Sequence, residues 1–323
     1  MMEAVDERFL PVPGNVLPRF AGIPTFMRLP YRAAGELDDV DIALIGVPFD
    51  TATSNRPGAR HGPRQLRDLS TMIRLVNQAT RVAPFHLARC ADLGDVLVNP
   101  VSLEDSRERI VAYYRQIAAA GMVPLTAGGD HFISWPILEA LATDGPLGMI
   151  HVDAHSDLYP PYFGGFDSHG TPFRRAVEAG LLDPRRVVQI GLRGSSIDMS
   201  DVDFAHEHGI RQVAVEEVFD RGVDDVMDEA RRLVGKEPIY VSFDIDAIDP
   251  SQAPGTGTPE VGGLWVQQAQ RLVRRLMGLE VVGADLVEVS PPWDASGNTA
   301  WVGANLMFEL LCVLADGVRR NRP

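Results

Sequence analysis

The sequence predicts an α/β fold built on a mainly parallel sheet, and three observations predict it. Short β-branched runs, apolar on both faces, alternate with stretches of helical spacing along all 323 residues, as strands covered by helices on two sides require. Several helical stretches close on glycine, which readily takes the left-handed conformation that ends a helix. Acidic residues and histidines gather just beyond the strand ends, where open α/β sheets bind their ligands.

The elements follow in order within one domain spanning residues 1–323. The proline-rich residues 1–35, with "PVPGNVLPRF" and "GIPTFMRLP", are expected to form an arm over the body or a neighbouring subunit. "VDIALIGVPFD" (40–50) is the first strand, and "LEDSRERIVAYYRQIAAAG" (103–121) has helical spacing and closes on Gly121. "GMVPLTAGGDH" (121–131) and "LGMIHVDAH" (147–155) are strands that run into polar residues. A helix at 169–182, a strand "RVVQIGLRG" (186–194) and a helix at 224–235 come next. The strand "PIYVSFDID" (238–246), a helix at 264–278 and the strand "LEVVGADLVEVSP" (279–291) complete the alternation. A long, mostly buried helix from Trp301 to about Arg320 closes the chain. No repeat, linker or low-complexity segment interrupts the pattern.

Composition narrows the function. With 45% hydrophobic and 23% charged residues the chain is of ordinary globular type. A net charge of -14 argues against nucleic acid as a partner, since phosphate binding needs a basic face. Acidity suits a small cationic substrate, although it also serves solubility. Cys90 and Cys312 sit among apolar residues and form no metal motif, so buried thiols in a reducing cytoplasm are expected. The start "MMEAVDERF" lacks a basic and an apolar segment, so no signal peptide is expected. No apolar run approaches the ~20 residues of a membrane span.

The chemistry lies in three strand-end motifs. "GGDH" places His131 after two glycines. "DAHSD" places Asp153, His155 and Asp157 at i, i+2 and i+4, on one face of an extended chain. Asp244 and Asp246 in "SFDIDAIDP" share a face by the same period. Any one of these aspartates alone reads as a helix cap or turn residue. Four carboxylates and two imidazoles in phase need a positive counterpart, because unpaired buried carboxylates cost several kcal/mol each. No Lys or Arg is interleaved, so two divalent metal ions are expected, with one or two aspartates bridging. Oxygen and imidazole ligands without thiolate suit Mn²⁺, and also Ni²⁺, Co²⁺ or Zn²⁺. His151, deeper on the same strand face, is expected to be a satisfied core histidine.

These motifs, with "GTGTPEVGG" (255–263), "NRPGARHGPRQLR" (55–67) and "DLVEVSPPWD" (285–294), resemble the ureohydrolase family of arginases and agmatinases over nearly the whole chain. The arm and "SHGTPFRRAVEAGLLDP" (168–184) are most similar to its guanidino-acid members, guanidinopropionases and guanidinobutyrases. The resemblance implies a three-layer arginase-like fold with an eight-stranded sheet, assembled as a homo-oligomeric trimer or hexamer. It implies one metal held by His131, Asp153, Asp157 and Asp244, and a second held by Asp153, His155, Asp244 and Asp246. Manganese is the family's common metal and nickel the main alternative. The ions would acidify a bridging water, and the resulting hydroxide would attack the guanidinium carbon to give urea, or a substituted urea, and an amine. Glu288 would orient the guanidinium, a planar cation that a carboxylate can bind through two hydrogen bonds. Asp157 would carry a proton to the leaving amine. His169 would shuttle protons or contact substrate, or cap a helix. Thr258 would touch substrate or shape its turn.

One segment departs from the family. After "DAHSD" a small polar stretch is usual, whereas residues 158–163 read "LYPPYF". Prolines remove N–H donors, and Tyr159 and Phe163 would make an aromatic wall that suits cations better than carboxylates. Either the loop points away from the ligand, or the substrate lacks a carboxylate. In the second case it is an alkylguanidine or a biguanide such as metformin, cleaved by the active subunit of a hetero-oligomer with a paralogue. A noncatalytic partner subunit would have lost a metal ligand or Glu288, and none is lost. A formiminoglutamate-type hydrolase would want a cation near the pocket, and none is evident. The single-zinc motif of the related deacetylases is not the one found here.

Overall fold

A computed structural model describes residues 6–33, 39–161 and 164–322. Its centre is one sheet of eight strands: β1 Ile42–Gly46, β2 Cys90–Asp95, β3 Val123–Ala127, β4 Leu147–Val152, β5 Leu182–Leu192, β6 Arg211–Ala214, β7 Ile239–Asp244 and β8 Val281–Val287. They lie in the order β2-β1-β3-β8-β7-β4-β5-β6, and every pairing is parallel. The six predicted strands are the six interior ones. The two not predicted, β2 and β6, are the sheet's edges. Each pairs with a single neighbouring strand, so neither needs the continuous apolar run of an interior strand.

Nine α-helices are described: α1 Gly62–Ser70, α2 Leu103–Ala119, α3 Ser134–Leu141, α4 Pro172–Glu178, α5 Ser200–His208, α6 Val215–Arg221, α7 Val223–Val234, α8 Val266–Arg274 and α9 Asn298–Asn321. Side chains of α2 to α5, among them Tyr114, Ile137, Phe173 and Phe204, pack with Ala43, Ile45, Met149 and Tyr240 of the sheet. Those of α1 and α6 to α9, among them Leu66, Met227, Leu272 and Leu306, pack with Ile42, Leu44, Ile150 and Val241 on its other face. Three layers result, as expected. α9 corrects one expectation, since by length and composition it is apolar enough to cross a membrane. It is nevertheless a core helix, with 72% of its apolar window buried inside the fold. Cys90 and Cys312 are free and buried, and burial pushes both thiols up.

Residues 6–33 lie along α1 and the β2 edge. Phe9, Phe26, Met27 and Leu29 are buried, and Tyr31 bridges to Asp92. The Phe26 N–H donates to Asp92 at 2.9 Å and the Met27 N–H to Ser70 at 2.8 Å. Val16, Phe20 and Ile23 remain exposed. The arm's residues 1–5, 34 and 35 lie outside the described residues. The carboxyl ends of the four central strands β3, β8, β7 and β4 open on the same side, and every predicted metal-site residue leaves one of them.

Candidate active site

The four strand ends are held together by short backbone links. The Gly128 N–H donates to the Leu286 carbonyl at 2.7 Å, and the Glu288 N–H to the Gly129 carbonyl at 2.8 Å. A Cβ on Gly129 would stand 1.7 Å from the Phe49 carbonyl oxygen, so only glycine lets the His131 loop pass. Asp157 and Glu288 both have positive φ, 51° and 62°. For non-glycine residues that conformation costs about 1–3 kcal/mol and tends to occur at functional sites.

The predicted cluster assembles. His131 Nδ1 lies 2.9 Å from Asp157 Oδ2, 3.1 Å from Asp153 Oδ2 and 3.2 Å from Asp244 Oδ2. His155 Nδ1 lies 3.1 Å from Asp246 Oδ2 and 3.5 Å from Asp153 Oδ1. Three of the aspartates also hold backbone N–H groups with their Oδ1 atoms. Asp153 Oδ1 accepts from the His155 N–H at 2.6 Å, Asp244 Oδ1 from the Asp246 N–H at 2.8 Å, and Asp246 Oδ1 from the Ala154 N–H at 3.2 Å. Turn residue and cluster member are therefore one role shared between two oxygens, a combination the sequence left as alternatives. His151 is satisfied, as expected. Its Nε2 is 2.7 Å from Asp153 Oδ2 and its Nδ1 3.0 Å from Gln189 Nε2.

Opposing charges set the protonation of the cluster. Burial would lower His131 and His155, but the surrounding aspartates outweigh it and hold both imidazoles well above their ordinary value. Burial, then repulsion from neighbouring carboxylates, raises Asp244 and Asp246. Burial would raise Asp153 too, yet the three histidines hold it well below the usual carboxylate range. The nearby Arg193 donates to main-chain carbonyls of Asp246, Ala247 and Glu260 rather than to these carboxylates. His131 Nδ1 is buried among three carboxylate oxygens, yet the angles give it no hydrogen bond. A nitrogen so placed can ligate a metal ion, and a buried His/Asp cluster sharing Asp153 between two groups suits a dinuclear divalent site.

Beside the cluster is a cavity of about 180 Å³, lined by Asp157, Tyr159, His169, Thr258 and Ile197 among others. His169 is not a helix cap, since Thr171 precedes α4. Its Nε2 lies 2.7 Å from Ser54 Oγ and its Nδ1 3.2 Å from Glu288 Oε1. Burial opposes protonation of His169, but Glu288, Asp157 and Asp130 raise it to about 9. Glu288 lies behind His169 rather than on the cavity wall. Its Oε1 also accepts the His131 N–H at 2.9 Å, and its buried Oε2 has no partner. Thr258 donates to Asp246 Oδ2 at 3.3 Å. Tyr159 faces the cavity while Leu158 turns into the core; Phe163, the rest of the expected aromatic wall, lies outside the described residues. Sequence reasoning missed Ser54, Ser168, Ser195 and Ile197, loop residues whose types carry no signal of their own. It also missed Asp130, which accepts the Ala52 N–H at 2.9 Å and so ties the Ser54 loop to His131.

Comparison with known proteins agrees with this geometry. The Arginase family profile matches residues 40–312. Guanidinopropionase of Pseudomonas aeruginosa is 56% identical over 312 residues, which cover 96% of this chain and 98% of that protein. Guanidinobutyrase of the same organism is 50% identical over 312 residues, with the same two coverages of 96% and 98%. Among solved structures, proclavaminate amidinohydrolase of Streptomyces clavuligerus superposes with a TM-score of 0.89 at 40% identity, covering 93% of this chain and 99% of that one.

Proposed function

The chain belongs to the arginase family, whose relatives hydrolyse amidine C–N bonds, and from that premise we propose that it is a dinuclear-metal guanidino-acid ureohydrolase. The observation that carries the reading is His131 Nδ1, buried and 2.9–3.2 Å from three carboxylate oxygens without a hydrogen bond. His131, Asp153, Asp157 and Asp244 would hold one ion, and Asp153, His155, Asp244 and Asp246 the other. The hard, oxygen-rich donor set favours Mn²⁺, with Ni²⁺ the main alternative. Such ions, when bound, supply positive charge and an acidified water.

The remaining work falls to side chains. Glu288 keeps one oxygen engaged by the His131 N–H and His169, and its partnerless Oε2 would take the N–H of a guanidinium that reaches past His169. Asp157, on the cavity wall beside His131, would take a proton from the nucleophile and return it to the nitrogen that leaves. His169 links Glu288 to the exposed Ser54, a short route for protons between site and solvent. The bond between the guanidino carbon and the substituted nitrogen breaks, the carbon keeps the water's oxygen as urea, and the amine departs with the proton. The small cavity suits a short tail. No Lys or Arg is among its described lining residues, so a tail carboxylate would be met by the hydroxyls of Ser54, Ser168 and Ser195. We also expect a homo-oligomer, trimer or hexamer, in the cytoplasm; exposed Val16, Phe20 and Ile23 support subunit contact.

The test is urea and amine release by protein loaded with Mn²⁺ or Ni²⁺. The screen covers guanidinopropionate, guanidinobutyrate, agmatine, arginine, dimethylguanidine and metformin. Activity confined to the last two would replace the guanidino-acid assignment, and activity on none would sink the enzymatic reading.

A further inference from the structure

One layer beneath the cluster, six adjacent strands each contribute one polar residue to a continuous row. Thr126 on β3 is in register with Asp285 on β8, Asp285 with Ser242 on β7, and Ser242 with His151 on β4. His151 is in register with Gln189 on β5, and Gln189 with Gln212 on β6. Residues in register on a parallel sheet point to one side. Here it is the side that carries Asp153 two residues beyond His151 and Asp244 two beyond Ser242. Thr126, Asp285, Ser242, His151 and Gln189 are fully buried, so each of them must find its partners inside the protein.

We propose that this row is a hydrogen-bond template that fixes the Nε2–H form of both His131 and His151, making Asp285 and Gln189 positioning residues for the metal pair. The proposal rests on the metal-dependent reading above.

The protons can be followed through it. Asp285 Oδ2 accepts from the Ser134 hydroxyl at 2.6 Å and the Tyr240 hydroxyl at 2.8 Å, and Oδ1 accepts from Ser242 at 2.6 Å. A hydroxyl has one proton. With that proton on Asp285, Ser242 can only accept from His131 Nε2, 2.8 Å away. Nε2 therefore carries the hydrogen, and Nδ1, on the opposite edge of the ring, is the position turned to Asp153, Asp157 and Asp244.

The other arm is fixed at its outer end. Gln189 Oε1 accepts from Gln212 Nε2 at 2.9 Å, so the Gln189 amide nitrogen faces the Ser156 carbonyl and His151 Nδ1. Turning this amide over would set one carbonyl oxygen against another. An amide nitrogen only donates, so His151 Nδ1 accepts and its hydrogen sits on Nε2, facing Asp153 Oδ2 at 2.7 Å. The two arms thus give the two histidines different tasks. His131 offers a bare nitrogen to the cluster, while His151 offers an N–H that leaves Asp153 Oδ1 turned to His155. Neither Asp285 nor Gln189 is among the described residues lining the cavity.

Imidazole ¹H–¹⁵N correlation spectra of protein loaded with diamagnetic Zn²⁺ read the two tautomers directly, and both rings should show Nε2–H. Asp285→Asn should weaken the binding of one ion by about 10–100-fold, the usual effect of losing a partner behind a ligand, with the His151 signal unchanged. Ser242→Ala is the second variant, because it cuts the link to His131 while Asp285 keeps Ser134 and Tyr240. Gln189→Leu should mix the His151 tautomers. Nδ1–H on either ring of the Zn²⁺-loaded wild type overturns the proposal, and so do wild-type affinities for both ions in Asp285→Asn and Ser242→Ala. If the wild type bound no divalent ion, the metal reading would fall instead, and the His151 tautomer in metal-free protein would still decide the row.

Discussion

Loading the metal-free protein with divalent ions near neutral pH should release about two or more protons per chain. The count comes from the charges around each imidazole. Asp157, Asp153 and Asp244 hold His131 well above its ordinary value against the pull of burial, and Asp246 and Asp153 do the same for His155. Both rings are therefore protonated without a cation, and each must give up its Nδ1 proton to ligate. Asp244 and Asp246, raised by burial and by neighbouring carboxylates, add to the count toward lower pH, whereas Asp153, held low, adds nothing. Each proton displaced makes the apparent association constant rise tenfold per pH unit, so the histidines alone give roughly 100-fold. Titration calorimetry in two buffers of different ionisation enthalpy reads the released protons directly, and repetition across pH gives the slope. Heats independent of buffer, with an affinity flat in pH, would refute the assignment of the metals to this cluster.

Other perturbations follow from the same geometry. Glu288→Gln keeps the side chain's shape but removes a charge whose free oxygen is buried, and one acceptor becomes a donor. A loss of about 3–4 kcal/mol, or some 10²–10³-fold in kcat/KM, is expected with bound metal unchanged; less than a threefold loss would remove Glu288 from substrate binding. Gly129→Ala drives a methyl group into the Phe49 carbonyl and moves both His131 and Glu288. It should lose metal content and lower Tm, and a variant that kept two ions per chain would contradict the packing. The metal-free protein should lose stability as pH rises. His169, at about 9, and His131, His155, Asp244 and Asp246 all bind protons more tightly folded than unfolded. Their contributions are present below the ordinary values and vanish as pH climbs through the folded ones. Asp153 has the opposite sign, and its contribution is lost only in acid. Denaturant midpoints at about pH 6 and about pH 9.5 check this, and a flat or rising midpoint would contradict it.

What the sequence revealed of the fold depended on how many sides of an element are buried. Interior strands such as β4 and β7 are buried at every position, and a continuous apolar run is visible without a structure. β2 ends in Gly94 and Asp95, with Asp92 and Asp95 paired to Arg67, and β6 has four residues of which only Val213 is buried. An edge strand needs no more, so its pattern dissolves into loop. Helices α1, α3, α5 and α6 are seven to nine residues long, about two turns, in which a helical period barely repeats; α4 and α8 are as short and are read only inside the longer stretches 169–182 and 264–278. α3 also carries Pro136 near its start, which reads as a breaker although proline is tolerated in a first turn.

The site was legible for the opposite reason. Charges are rare at buried strand ends, so Asp153, His155, Asp157, Asp244 and Asp246 stand out by spacing alone, whereas the residues that orient them do not. Asp285, Ser242, His151 and Gln189 each stand between apolar neighbours in their strands, and one polar residue in an apolar run looks like tolerated noise. Register turns the interruptions into a row, and register between strands distant in sequence is fixed by the topology, not by any one segment. A substitution such as Asp285→Asn would look conservative in the sequence and sit far from substrate, yet it would remove the carboxylate on which the Ser242 proton, and with it the form of His131, depends. Motif searches for the activity therefore find the residues that touch the ions, while the residues that decide how those ligands present themselves become visible only across the sheet.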